Sequence, residues 1–191
     1  MIADTLIHAA TLLTTMSLAA GTAEAQFRLA SRDFQPGGTI HDEQTYNASG
    51  CTGQNVSPDL RWSGAPAGTK SFALLLHDPD APTGGAGWWH WIVYNIPAGT
   101  TELRKGAGKP DGTALPAGAA SVANDYGTQG YGGPCPPAGD KPHRYVFTVY
   151  ALKVDRLDVP KDANASVAGF MINANAIGKA TLTGMYGRRK P

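Results

Sequence analysis

Three apolar runs, each too short for a confident helix, constrain this chain more than any other feature. Residues 71–77, 89–96 and 145–152 are rich in Leu, β-branched and aromatic side chains and are bounded by turn residues. Runs of that length and composition suit strands buried on both faces. The chain therefore reads as mainly β, with antiparallel sheets in a sandwich and peripheral helices. Shorter alternating segments at 27–31 and 60–62 add strands, and Pro36-Gly37-Gly38 and Ala65-Pro66-Ala67-Gly68 turn the chain. Glycine and proline, at 24 and 14 of 191 residues, punctuate it throughout and argue against a helical bundle. Region 99–139 is dense in Gly, Pro, Ala and Asn with little periodicity, and an irregular stretch of that length points to a functional loop. Residues 165–185 set Val167, Phe170, Met171, Asn175, Ile177, Ala180 and Leu182 at roughly helical spacing. That spacing predicts one or two C-terminal helices packed on the sheet, capped at Asn164 or Ser166 and ended at Gly184 or Gly187.

Charge narrows the function classes. Sixteen Lys and Arg against 15 Asp and Glu leave a formal charge of +1 with no basic stripe, which argues against a general nucleic-acid binder. The first 25 residues read as a cleaved secretory leader, apolar through 6–20 and closed by Ala23-Glu24-Ala25 with small residues at −3 and −1. Its start carries Asp4 and no base, where such leaders ordinarily begin positive. Residues 26–191 then form a single domain whose charge is +3 once Asp4 and Glu24 are lost, with no window long and apolar enough to span a bilayer. The mature chain is thus expected in the periplasm or secreted. Cys51 and Cys135 are the only two cysteines. In an exported chain they pair into one disulfide, which the chain-entropy picture values at about 4–5 kcal/mol; in a cytosolic one they stay reduced.

Two motifs put ionisable groups at the ends of the buried runs. His77-Asp78-Pro79-Asp80-Ala81-Pro82 follows the Leu74-Leu75-Leu76 run, placing two carboxylates in a rigid corner; the plain alternative is an Asp-Pro turn that only satisfies backbone donors. His90 sits among Trp88, Trp89 and Trp91, an imidazole with aromatic walls, as in many small-ligand sites, though a lone strand-start His is often structural. His143-Arg144-Tyr145 brings a second imidazole and a hydroxyl after the Gly132-Gly133-Pro134-Cys135-Pro136-Pro137 loop. Glycines there let backbone N–H groups approach a bound group, and prolines limit the loop's freedom. Such donors clasp a phosphate or carboxylate, provided that any neighbouring carboxylate shares a proton or meets an imidazolium. No His-x-x-x-His pair and no Gly-x-Ser-x-Gly elbow is present, so neither a metal site nor a serine hydrolase is expected, and no cofactor is called for.

Together, Asp78-Pro79-Asp80-Ala81-Pro82, Trp89-His90-Trp91, Gly133-Pro134-Cys135-Pro136-Pro137 and His143-Arg144-Tyr145 resemble the phosphatidylethanolamine-binding protein family, nearest its bacterial Raf-kinase-inhibitor-like branch. Cys51-Thr52-Gly53-Gln54-Asn55-Val56-Ser57-Pro58 and Trp62-Ser63-Gly64-Ala65-Pro66 extend the similarity to about 27–186. The resemblance implies a β-rich fold with a small anion pocket at one edge. Position by position, it implies ligand-binding roles for Asp78, His90, His143 and Tyr145, a loop wall at Pro136 and a backbone N–H at Cys135. Asp80, Pro82, Trp89 and Gly133 fall in supporting positions. The expected function is binding of a small phosphate- or carboxylate-bearing ligand such as a phosphorylated headgroup, with a protein partner of unnamed identity. Affinity is expected to fall as pH rises through imidazole titration near about 6.5. Inhibition or regulation of a protease or kinase is the alternative, and a hydrolase using the Asp/His pocket is a weaker one.

Overall fold

The computed structural model describes residues 26–190, so the proposed leader lies outside the described residues. In chain order the elements are β1 (Arg28–Ser31), a 3-10 turn (Asp42–Gln44), β2 (Leu60–Ser63), β3 (Ser71–Asp78), β4 (Trp88–Pro97), β5 (Glu102–Leu103), β6 (Ala120–Ser121), β7 (His143–Leu152), α1 (Ala165–Asn175) and β8 (Ala176–Tyr186). The strands form two antiparallel sheets, one ordered β1-β2-β5 and the other β6-β4-β3-β7-β8. The three apolar runs become β3, β4 and β7, the adjacent central strands of the larger sheet.

Strand periodicity explains why these runs are apolar throughout. On β3, Phe72, Leu74 and Leu76 join Trp91, Val93, Phe147 and Val149 in a core facing the smaller sheet, where Leu29, Leu60 and Trp62 meet them. The intervening Ala73 and Leu75 face the other way, with Ile92, Tyr150 and Leu152, and α1 covers them. A strand with a core on each side has no face for polar residues. Each fully buried Leu or Phe contributes on the order of 1.5–3 kcal/mol by leaving water.

The C-terminal segment departs from the helical expectation. Only 165–175 is helical, and 176–186 pairs along its length with β7. Two physical reasons decide this. In α1 the buried positions are Ala165, Ala168 and Gly169, small residues that let the helix lie close to the sheet, and Ile172, which packs into the core beneath it. Val167 and Phe170, which the spacing assigned to a buried stripe, are 43% and 75% exposed. From Ala180 onward, Ala180, Leu182 and Gly184 alternate inward with period two, and Ile177, Thr181 and Thr183 are β-branched residues suited to an edge strand. Gly184 belongs to this strand, where any side chain would press on Ile40 and Phe34. The cap at the helix start follows the expectation, since Asn164 Oδ1 accepts from the Val167 N–H at 2.9 Å.

These placements set the cost of truncation. Leu182→Ala should destabilise the protein by about 2–5 kcal/mol in urea denaturation, the range for an emptied core site. Phe170→Ala should change it by less than about 0.5 kcal/mol. The opposite ranking would contradict the strand assignment.

Candidate functional site

A cleft opens where β3, β4 and β7 end together, and residue parity positions its walls. Asp78 continues the Phe72, Leu74, Leu76 row of β3 beyond the core. On β7, His143 and Tyr145 continue the Val149, Phe147 row toward the same face. β4 pairs Leu76 with Trp91 but His77 with Trp89, which leaves His90 as the extra residue of a β-bulge. Beyond the bulge Trp88 pairs with Asp78 and shares its face, while Trp89 shares the opposite face with His77 and lies 4.2 Å from it, ring centre to ring centre.

The resulting cleft has a volume of about 440 Å³, and Asp78, Pro82, His90, Cys135, Pro136, His143 and Tyr145 all line it. Asp80, Trp89 and Gly133 do not. Asp80 accepts from the Arg144 backbone N–H at 2.8 Å and from its guanidinium at 2.6 and 2.9 Å. The Arg144 side-chain bond holds the Asp80 carboxyl down to about 2, and the pair braces the start of β7 against the turn after β3. Gly133 donates its N–H to Asn55 Oδ1 at 2.7 Å, and a side chain on it would strike the backbone of Gln44 and Thr45, so it serves close packing. Trp88, Ser49, Asp125 and Tyr126 are walls that the sequence reading left out of its site. Asp125 and Tyr126 come from the aperiodic 99–139 region, where no pattern marks them. Trp88 was visible beside His90, but choosing it over Trp89 requires the bulge.

Hydrogen bonding separates groups that hold the cleft from groups free to meet a ligand. Asp78 Oδ2 accepts from His143 Nδ1–H at 2.8 Å, and its Oδ1 accepts from the Asp80 N–H at 2.9 Å. His143 Nε2 stands 3.6 Å from the Asp140 carboxylate. His90 Nδ1 lies 2.6 Å from the Gly132 carbonyl, which can only accept, so Nδ1 carries the proton and Nε2 of the neutral ring is an acceptor. Burial pushes the His90 pKa down to about 4, against the upward pull of the Gly132 carbonyl. The unliganded His90 is therefore neutral at neutral pH, which corrects the expectation of an imidazolium titrating near about 6.5. The Tyr145 hydroxyl is buried without a hydrogen-bond partner. Burial, and then the neighbouring Asp78 carboxylate, push its phenol far above the usual range; Asp78 lies close to the hydroxyl without meeting hydrogen-bond geometry. Trp88 Nε1 is likewise buried and unpartnered. No Lys or Arg lines the cleft. Among the described residues, no group of three or more His, Cys, Asp or Glu side chains is arranged to hold a metal ion.

Cys51 and Cys135 are joined in a disulfide with their Cα atoms 6.0 Å apart, which brings the 48–51 segment, and Ser49 with it, to the cleft.

The chain is similar to several known proteins. The family model described as phosphatidylethanolamine-binding protein matches residues 30–187. The Escherichia coli protein YbcL is 49% identical over 162 residues, 85% of this chain and 88% of its own. Escherichia coli YbhB is 42% identical over 159 residues, 83% of this chain and 99% of its own. The crystal structure of YbcL, described as a member of the mammalian PEBP family, superposes with a TM-score of 0.84 at 48% identity, covering 86% of this chain and all of that one.

The depressed His90 pKa carries a stability consequence. Between about 4 and the unfolded value near about 6.5 the unfolded chain binds more protons than the native one, so stability falls as pH drops through that window. Urea denaturation at pH 7 and 4.5 should show His90 contributing about 2–3 kcal/mol to the loss. His90→Gln should lose correspondingly less than the wild type, and equal losses would show that the native ring is not held neutral.

Proposed function

This chain belongs to the phosphatidylethanolamine-binding protein family, and from that premise we propose that its cleft binds a small phosphate- or carboxylate-bearing ligand, such as a phosphorylated headgroup. The Tyr145 hydroxyl carries the reading. A buried hydroxyl without a partner costs about 1–3 kcal/mol, and an acidic ligand oxygen is an acceptor that would relieve it. His90 Nε2 and the Trp88 indole N–H complete a small polar set between aromatic walls. Binding rather than turnover fits the rest of the cleft. Its one sulfur is held in a disulfide, and His143 stands between two carboxylates, with Asp78 on Nδ1 and Asp140 facing Nε2. The disulfide also suits an oxidising compartment, which supports export of the chain.

The charges in the cleft select the ligand's protonation state. With no Lys or Arg in the wall and Asp78 and Asp125 nearby, a dianion is poorly matched. A phosphomonoester enters as its monoanion with P–OH donating to His90 Nε2, or as a dianion that takes a proton onto that nitrogen. Either route binds one proton more than the separated partners above the phosphate's second pKa, about 6. Affinity therefore falls as pH rises, because of proton uptake on binding rather than a standing charge on His90.

Calorimetric titration with glycerol 3-phosphate should show affinity dropping about tenfold or more between pH 6 and 8, with His90→Gln flattening the slope. At fixed pH, Tyr145→Phe should weaken binding by about 10–100-fold, the worth of a hydrogen bond to a charged group, while leaving stability unchanged or higher. Absence of binding by the wild type to glycerol 3-phosphate and to acetate, or an unaltered affinity in Tyr145→Phe, would overturn the proposal.

A further inference from the structure

One side of the cleft is built from two segments outside the sheets, 48–51 and 133–137, which supply Ser49, Cys135 and Pro136 to its wall. Segment 48–51 is not relaxed. Ser49 sits at φ 55°, in the left-handed region that costs a non-glycine residue energy unless the surroundings impose it. Two ties impose it. The first is the Cys51–Cys135 disulfide. The second is Arg188, just beyond β8, whose Nε donates to the Pro136 carbonyl and whose Nη1 donates to the Gly50 carbonyl, both at 2.7 Å. A planar guanidinium bridges carbonyls on two segments with fixed geometry, which a lysine ammonium on its flexible stem does not reproduce. The Arg188 backbone is anchored independently, its carbonyl accepting from the Gly139 N–H at 2.9 Å, so a change of side chain leaves the tail in place.

We propose that Arg188 is a positioning residue for the cleft and that the Cys51–Cys135 disulfide is its redox-cleavable counterpart, two parallel ties that hold the 48–51 and 133–137 wall at ligand distance, so that reduction by a dithiol lowers ligand affinity. This rests on the binding function proposed above and names how that site is controlled. Cys51 is buried, whereas Cys135 is partly exposed and faces the cleft. A dithiol thiolate entering the cleft attacks the Cys135 sulfur; the S–S bond breaks, and Cys51 leaves as a thiolate and takes a proton. The reductant's second thiol then displaces Cys135, which is protonated in turn. The protein gains two electrons and two protons, and the dithiol ends as a disulfide. Because the reduced form binds more weakly, a bound ligand opposes reduction by the same factor, as linkage requires, and by covering Cys135 it also slows the thiolate's approach.

The test compares the full chain as wild type, Arg188→Ala, Arg188→Lys, the Cys51→Ser/Cys135→Ser pair, and that pair combined with Arg188→Ala. Each is measured by amide hydrogen exchange without ligand and by calorimetric affinity for glycerol 3-phosphate. Losing either tie should speed exchange in 48–53 and at Gly133 and Cys135, the amides of the proline-rich segment, and weaken binding by about threefold; in Arg188→Ala the sheet amides should stay unchanged. Losing both should weaken binding at least about threefold beyond the product of the separate losses, the sign of one shared function. Arg188→Lys should behave like Arg188→Ala, and saturating glycerol 3-phosphate should slow reduction of the wild-type disulfide by dithiothreitol. Losses that merely multiply, or unaltered exchange in those segments, would overturn the clamp. If the wild type fails to bind the phosphomonoester, the function proposed for the cleft falls, while hydrogen exchange across the same variants still decides whether the ties act jointly.

Discussion

A one-residue slip in the pairing of two central strands holds the site together. β3 and β4 keep one register from Leu74 and Val93 to Leu76 and Trp91, then slip by one residue at His90. Without that bulge the aromatic residues beyond it would exchange faces, because side chains on a strand alternate with period two. Trp88 would leave the face of Asp78, and Trp89 would leave the ring of His77 that it covers. The bulge also brings His90 within reach of the Gly132 carbonyl, which selects its tautomer and leaves Nε2 as the free nitrogen. Fold and chemistry meet in that single unpaired residue.

The cleft divides its polar groups by what they have already bonded. Asp78 spends both oxygens on His143 and on the backbone of Asp80. Asp80 spends its own on Arg144, and Asn55 spends its amide on Gly133 and Tyr131. These bonds fix the ends of β3 and β7 and the glycine-rich loop. Tyr145 and Trp88 keep donors unspent in positions where water is largely excluded. A buried donor without a partner costs stability, and it persists where a bound group supplies the missing acceptor. Stability is thus given up at the residues that the binding reading needs most.

Much of this is legible in the sequence. β3, β4 and β7 announce themselves because a strand covered on both sides carries no polar alternation, and Asp78, His90, His143 and Tyr145 are visible as polar residues interrupting such strands at their ends. The C-terminal segment was misread for an equally physical reason. Its apolar residues fit a helical period loosely, and only pairing with β7 makes the two-residue period of 180, 182 and 184 the one that counts. Tyr126 and Asp125 were invisible because an irregular loop has no periodicity to betray which of its side chains turn inward.

The amino-acid order by itself determined which segments leave water, which polar residues sit where those segments end, and that the chain holds two cysteines. Those are properties of composition and short-range spacing, and they hold whatever the distant chain does. The tertiary structure alone decided which tryptophan faces the cleft, whether His90 carries a charge, and which donors remain unpaired. Each of these depends on groups brought together across dozens of residues: a bulge set by pairing with β3, a low-polarity surrounding assembled from several strands, and carbonyls that Arg188 reaches on segments far from it in the chain. Burial and hydrogen-bond partnership are collective quantities, and a linear order of residues does not contain them until the chain has closed on itself.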